Sequence, residues 1–124
     1  MPYGGGSDFI NLPISLLSFE ATRQGQIVKL DWSTASENRN EAFDVEKSID
    51  AKSFTRIGSI KGAGSSNVQH DYSFLDRQAT EQMNFYRLKQ IDVDGKYSYS
   101  KIIWLNRTDF SFQFIKPGSV NPRC

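Results

Sequence analysis

Residues 26–34 read Gln-Ile-Val-Lys-Leu-Asp-Trp-Ser-Thr. Val28, Leu30 and Trp32 fall on one side of an extended chain, and Lys29, Asp31 and Ser33 on the other. Successive side chains of a strand point to opposite faces, so a period of two marks a half-buried strand.

The same period recurs on both sides of this stretch. Residues 43–50 (FDVEKSID) alternate through Phe43 and Val45, and residues 70–76 (HDYSFLD) through Tyr72 and Phe74. Residues 84–90 (NFYRLKQ) place Tyr86 and Leu88 inward, with Arg87 and Lys89 outward. Residues 97–105 (YSYSKIIWL) are rich in β-formers but apolar in both phases, which leaves their inner face open. In residues 14–22 (ISLLSFEAT), Ile14 and Leu16 share one phase while Leu17, Phe19 and Ala21 share the other. Such a switch predicts a bulge or kink, and Pro13 just ahead suits a strand entry or an edge.

Turn chemistry separates these runs. Arg23-Gln24-Gly25 parts the first two strands, and Asp50-Ala51-Lys52 is a tight turn. Residues 36–41 (SENRNE) are expected as a polar loop and residues 62–67 (GAGSSN) as a flexible connection. Asp94-Gly95 predicts a two-residue type I′ hairpin, whose central residues both need positive φ. Residues 76–83 read as a loop with room for one helical turn. About seven short strands with no long helical period predict an all-β sandwich.

Composition agrees with one globular domain. The chain has 124 residues, fifteen Lys and Arg against fourteen Asp and Glu, and a formal charge of +1. Nine Phe, five Tyr and two Trp can supply a core. The near-zero charge speaks against a nucleic-acid partner, although aromatics alternate with Lys in YRLK and KYSYSK. A single Cys, Cys124, and a single His, His70, make neither an internal disulfide nor a structural zinc site. No run of about 18 apolar residues predicts membrane insertion. Residues 1–7 (MPYGGGS) lack the basic and apolar regions of a signal peptide, and residues 1–11 are expected to be a flexible leader.

Residues 12–66, the YSFLD of residues 72–76 and the NFYRLKQIDVDGKYSYSKII of residues 84–103 agree in order and spacing with a known module. The chain resembles the fibronectin type III-like modules of secreted and surface proteins of the Bacteroidetes, which often precede a type IX secretion sorting domain. The resemblance implies an immunoglobulin-like or fibronectin type III-like β-sandwich over residues 12–106. It implies that Trp32 is the buried tryptophan of the second strand. It makes Tyr86 the corner tyrosine, its hydroxyl bonded to nearby backbone, and it assigns Asp94 and Gly95 to the last hairpin. An extracellular or cell-surface location follows from the same likeness. The chain departs from the family at Asp50-Ala51, where Asp-Gly is usual, and at residues 79–82 (ATEQ), where Pro-Leu and then Gly are usual. Residues 107–124 resemble the start of a sorting domain only faintly, through Asn121-Pro122.

Candidate chemistry is sparse. Asp92-Val93-Asp94-Gly95 looks like part of a calcium loop, but no acid follows where a bidentate ligand is needed, so a hairpin is the better reading. His70 and Asp71 are strand neighbours facing opposite ways, and Ser65 and Ser66 lie in no nucleophile elbow. Glu37 and Glu41 share a polar stretch and are expected to be solvated rather than a glycosidase pair. Asn106-Arg107-Thr108 is a glycosylation sequon. No catalytic residue, cofactor or metal is expected.

Three non-catalytic roles follow. The first is a spacing, adhesion or assembly module with protein partners. The second is a self-assembling fibre subunit: Phe110, Phe112 and Phe114 alternate as an eighth strand, and Phe9, Ile10, Leu12 and Ile14 form a similar stretch. Such strands add to exposed sheet edges. The third is an accessory carbohydrate-binding module whose ligand face is Tyr97, Tyr99 and Trp104, with surface polysaccharide as partner.

Overall fold

A computed structural model describes residues 14–80 and 82–105. Among these the fold is all-β. The strands are β1 (Ile14–Gln24), β2 (Ile27–Ser48), β3 (Thr55–Ser66), β4 (His70–Asp76), β5 (Asn84–Asp92), β6 (Tyr97–Tyr99) and β7 (Ile103–Leu105). Every pairing is antiparallel, and hydrogen bonds join all seven into one curled sheet.

The curl originates in β2, which is 22 residues long. Its first half pairs with β1 and β4, and its second half with β3 and β5. Trp32 lies in the first half and Phe43 in the second, yet their ring centroids are 5.6 Å apart. Eleven residues of straight strand would separate them by about 36 Å. The strand therefore folds over between them. The pairing register slips between Glu37, Asn40 and Ala42, and Arg39 is left-handed at φ 55°. Extra residues in one strand of a ladder bend it in this way. The expected polar loop at residues 36–41 is thus corrected: this stretch stays in the ladder and bends.

The fold-over brings two apolar faces together. Phe19, Val28, Leu30, Trp32, Phe43, Val45, Tyr86 and Leu88 form the buried core, with Tyr72 and Phe74 packed against it. Tyr72 stacks on Trp32 at 5.7 Å and tilts on Phe43 at 5.0 Å. Full burial of each large apolar side chain contributes about 1.5–3 kcal/mol. The phase switch of β1 is a register shift between Ser15 and Ser18, which leaves Leu17 exposed while Phe19 is buried.

Two local expectations change. Residues 62–66 belong to β3, with Gly62 packed against Asn40, so they are no flexible connection. Gly95 has φ 92° but Asp94 is not left-handed, and the Gly95 N–H donates to the Asp92 carbonyl at 2.9 Å. The hairpin is therefore a type I turn closed by a left-handed glycine rather than a type I′ turn. Residues 77–80 and 82–83 form the expected loop, without a helical turn. Residues 97–105 split into β6 and β7 at Ser100, whose Oγ accepts the Leu88 N–H at 2.8 Å. Residues 1–13 and 106–124, with Asn106, Phe110, Phe112, Phe114 and Cys124, lie outside the described residues.

Candidate functional site

The outward face of β5 carries Phe85, Arg87, Lys89 and Ile91, each alternating with a buried neighbour. Register places Tyr99 opposite Lys89, Tyr97 opposite Ile91 and Trp104 opposite Phe85. All three expected ligand-face aromatics are therefore on one sheet face, and all are exposed. The Arg87 guanidinium lies 3.8 Å from the Tyr99 ring centre and 4.1 Å from that of Phe54. Its Nε also donates to Glu46 Oε1 at 2.7 Å. Lys89 sits 4.2 Å from the Tyr97 ring centre, and Tyr97 meets Tyr99 edge-on at 5.6 Å. Phe85 and Trp104 are 6.5 Å apart. Alternation marks Arg87 and Lys89 as outward, but Glu46 reaches this face through its pairing with Arg87 and Phe54 from the segment just before β3, and no local pattern signals either.

Two buried carboxylates lie on the other side of the sheet. Glu37, expected to be solvated, is 3% exposed. Its Oε2 accepts from Tyr72 Oη at 2.6 Å and Thr34 Oγ1 at 2.8 Å. Its Oε1 accepts from Asn40 Nδ2 at 2.7 Å and the Ala63 N–H at 2.9 Å. Burial pushes its pKa up, but these four donors outweigh that and hold it below the ordinary value. Glu41 is exposed, so the two acids form no facing pair. Beyond Asn40, Gln90 Nε2 donates to its Oδ1 at 2.8 Å. The bend of β2 is thus pinned by a polar chain reaching β3, β4 and β5.

Trp32 is buried, as is Tyr86. The Tyr86 hydroxyl donates to Asp76 Oδ2 at 2.7 Å, which corrects the backbone acceptor expected for it. Lys47 Nζ reaches the same oxygen at 2.8 Å. Burial raises the Asp76 pKa, but Lys47, Tyr86 and the Gln78 N–H together keep it depressed. The preceding loop is shaped by buried Asn84, whose side chain bonds the backbone of Thr80 and Gln82.

The other sequence candidates do not assemble. Ser66 Oγ lies 2.8 Å from His70 Nε2, a nucleophile-base distance. Asp71, however, accepts from Ser33 at 2.7 Å and Gln69 at 3.0 Å. Asp94 Oδ1 accepts the Lys96 N–H at 3.0 Å, in keeping with the hairpin. Among the described residues no cluster of three or more His, Cys, Asp or Glu converges on one point.

No family model matches the chain, and neither does any curated protein. Two solved structures are similar to it. Pectate lyase PelI from Erwinia chrysanthemi, in complex with tetragalacturonic acid, matches 73% of this chain at 14% identity and a TM-score of 0.55. Pectate lyase Pel3 from Pectobacterium carotovorum matches 73% at 16% identity and a TM-score of 0.54. The chain spans about a quarter of the length of these enzymes, 27% and 26%. At such identities the likeness is one of fold.

Proposed function

We propose that this chain is a non-catalytic, fibronectin type III-like β-sandwich module of a secreted or surface protein of the Bacteroidetes kind, working in spacing, adhesion or assembly. The observation that carries the reading is the change of partners along β2. One half lies between β1 and β4 and the other between β3 and β5, with the core between the halves. A sheet folded over on itself in this order is compatible with the sandwich that the sequence resembles. The burial of Trp32 and of Tyr86 near the start of β5 fits the same module. The likeness to about a quarter of each pectate lyase supports a fold that is used as one part of larger proteins. Among the described residues, Asp71, the acid next to His70 in the chain, is bonded to Ser33 and Gln69 rather than to the imidazole, in keeping with this reading.

The test has two arms. Protease shaving of intact cells of the source organism should release the segment, and retention inside the cell overturns the surface reading. The purified chain should turn over no polysaccharide, ester or peptide, and turnover lost on Ser66→Ala overturns the non-catalytic one.

A further inference from the structure

Tyr97, Tyr99 and Trp104 are 57%, 46% and 58% exposed. They lie along β6 and β7 from the position opposite Ile91 to that opposite Phe85, six residues of β5 or about 20 Å. This is a strip long enough for several sugar rings in a row. We propose that the outward face of β5, β6 and β7 binds a neutral, extended polysaccharide, whose rings stack on Tyr97, Tyr99 and Trp104.

Three features select that ligand. The first is charge. Arg87 is bonded to Glu46, and Asp44 stands directly across from Lys89. Each cation of β5 thus faces an acid of β2, which weakens its pull on a polyanion. The second is spacing. The rings are interleaved with charged groups, whereas a protein interface has a continuous core depleted of charge. A pyranose needs only one ring at a time: its C–H face meets the negative face of an aromatic, and its hydroxyls bond the polar groups between. The third is preorganisation. Arg87 and Lys89 lie over Tyr99 and Tyr97 and hold those rings before any ligand arrives. Less ordering is then lost on binding. The proposal stands on this face alone and does not depend on where the protein resides.

The experiment uses the full chain in native affinity gels cast with hydroxyethylcellulose, with neutral xylan or with polygalacturonate. Tryptophan quenching by acrylamide runs alongside. Trp32 is 1% exposed and Trp104 58%, so quenching reports Trp104. Retardation by a neutral polymer, insensitive to salt, with Trp104 shielded, is the expected result. Trp104→Ala and Tyr97→Ala should each weaken it by about tenfold or more. Two variants are used because Trp104 also touches Phe85, and each is checked for an unchanged fold by circular dichroism. No retardation by either neutral polymer overturns the proposal. So does salt-sensitive retardation by polygalacturonate alone, or retardation that neither variant weakens. Shielding of Trp104 that grows with protein concentration and needs no polysaccharide gives the face to a second copy of the chain, and also overturns it.

Discussion

Tyr86 and Asp76 lock the end of β4 to the start of β5: the hydroxyl donates to the carboxylate at 2.7 Å, in a site where Tyr86 is wholly buried and Asp76 is 5% exposed. Lys47 on β2 completes the knot, so three strands meet at one oxygen. Tyr86→Phe keeps the ring and removes only the donor. A hydrogen bond to a charged group contributes about 1.5–3 kcal/mol. Urea denaturation should show a loss of that size, and a loss below about 0.5 kcal/mol would make the bond incidental.

Acid should destabilise the protein through carboxylates that accept hydrogen bonds in the fold: buried Glu37 and Asp76, and exposed Asp50. Glu37 and Asp76 have pKa values held below their ordinary 4.5 and 3.8, and Asp50, capped by the Ser53 and Lys52 N–H groups, is held at about 2. A depressed folded pKa gives stability that is present above the unfolded value and lost as pH falls through the folded one. Stability should thus be level down to pH 4.5, then decline toward pH 2. Thermal midpoints measured across pH test this, and Glu37→Gln should remove part of the decline that starts near 4.5.

Alkali acts through Tyr72 and Tyr86. Burial comes first, then the hydrogen bond and charge of Glu37 and Asp76, and together they raise both phenols above the ordinary 10.0. A raised folded pKa gives stability that is present below the unfolded value and lost above it. Spectrophotometric titration should show two tyrosines ionising only with unfolding. Smooth ionisation of all five near pH 10.0 would contradict this.

Ala51 occupies the left-handed region at φ 64°, in the turn between β2 and β3. A Cβ there meets the following carbonyl, and glycine does not. Ala51→Gly should stabilise the fold by about 0.5–1 kcal/mol in the same denaturation assay.

Gly62 is the opposite case. A Cβ at this position would lie 2.6 Å from the Asn40 backbone carbonyl oxygen and 2.6 Å from the Asn40 side-chain Nδ2, at the bend of β2. The backbone atom cannot swing aside. Gly62→Ala should cost about 1–3 kcal/mol, the usual range for overpacking. It should also perturb the amide resonances of Glu37 and Asn40. A neutral effect would place the bend under less constraint than this contact implies.

The alternation of Val28, Leu30 and Trp32, and that of Tyr86 and Leu88, determined an all-β protein and named its core, because a period of two needs only local geometry. The break in β1 was legible for the same reason. The outward placement of Arg87 and Lys89 could also be read, since it is the complement of the buried phase. What happens at residues 36–41 could not. Polar residues there look like a solvated loop, and only Tyr72, Asn40 and the Ala63 N–H, brought in from other strands or held by the bend, make Glu37 an interior group. The acceptor of Tyr86 and the pairing of Glu46 and Phe54 with Arg87 were likewise decided in three dimensions. Those partners are 10 to 41 residues apart, and sheet register is set by the whole fold rather than by any stretch of the chain.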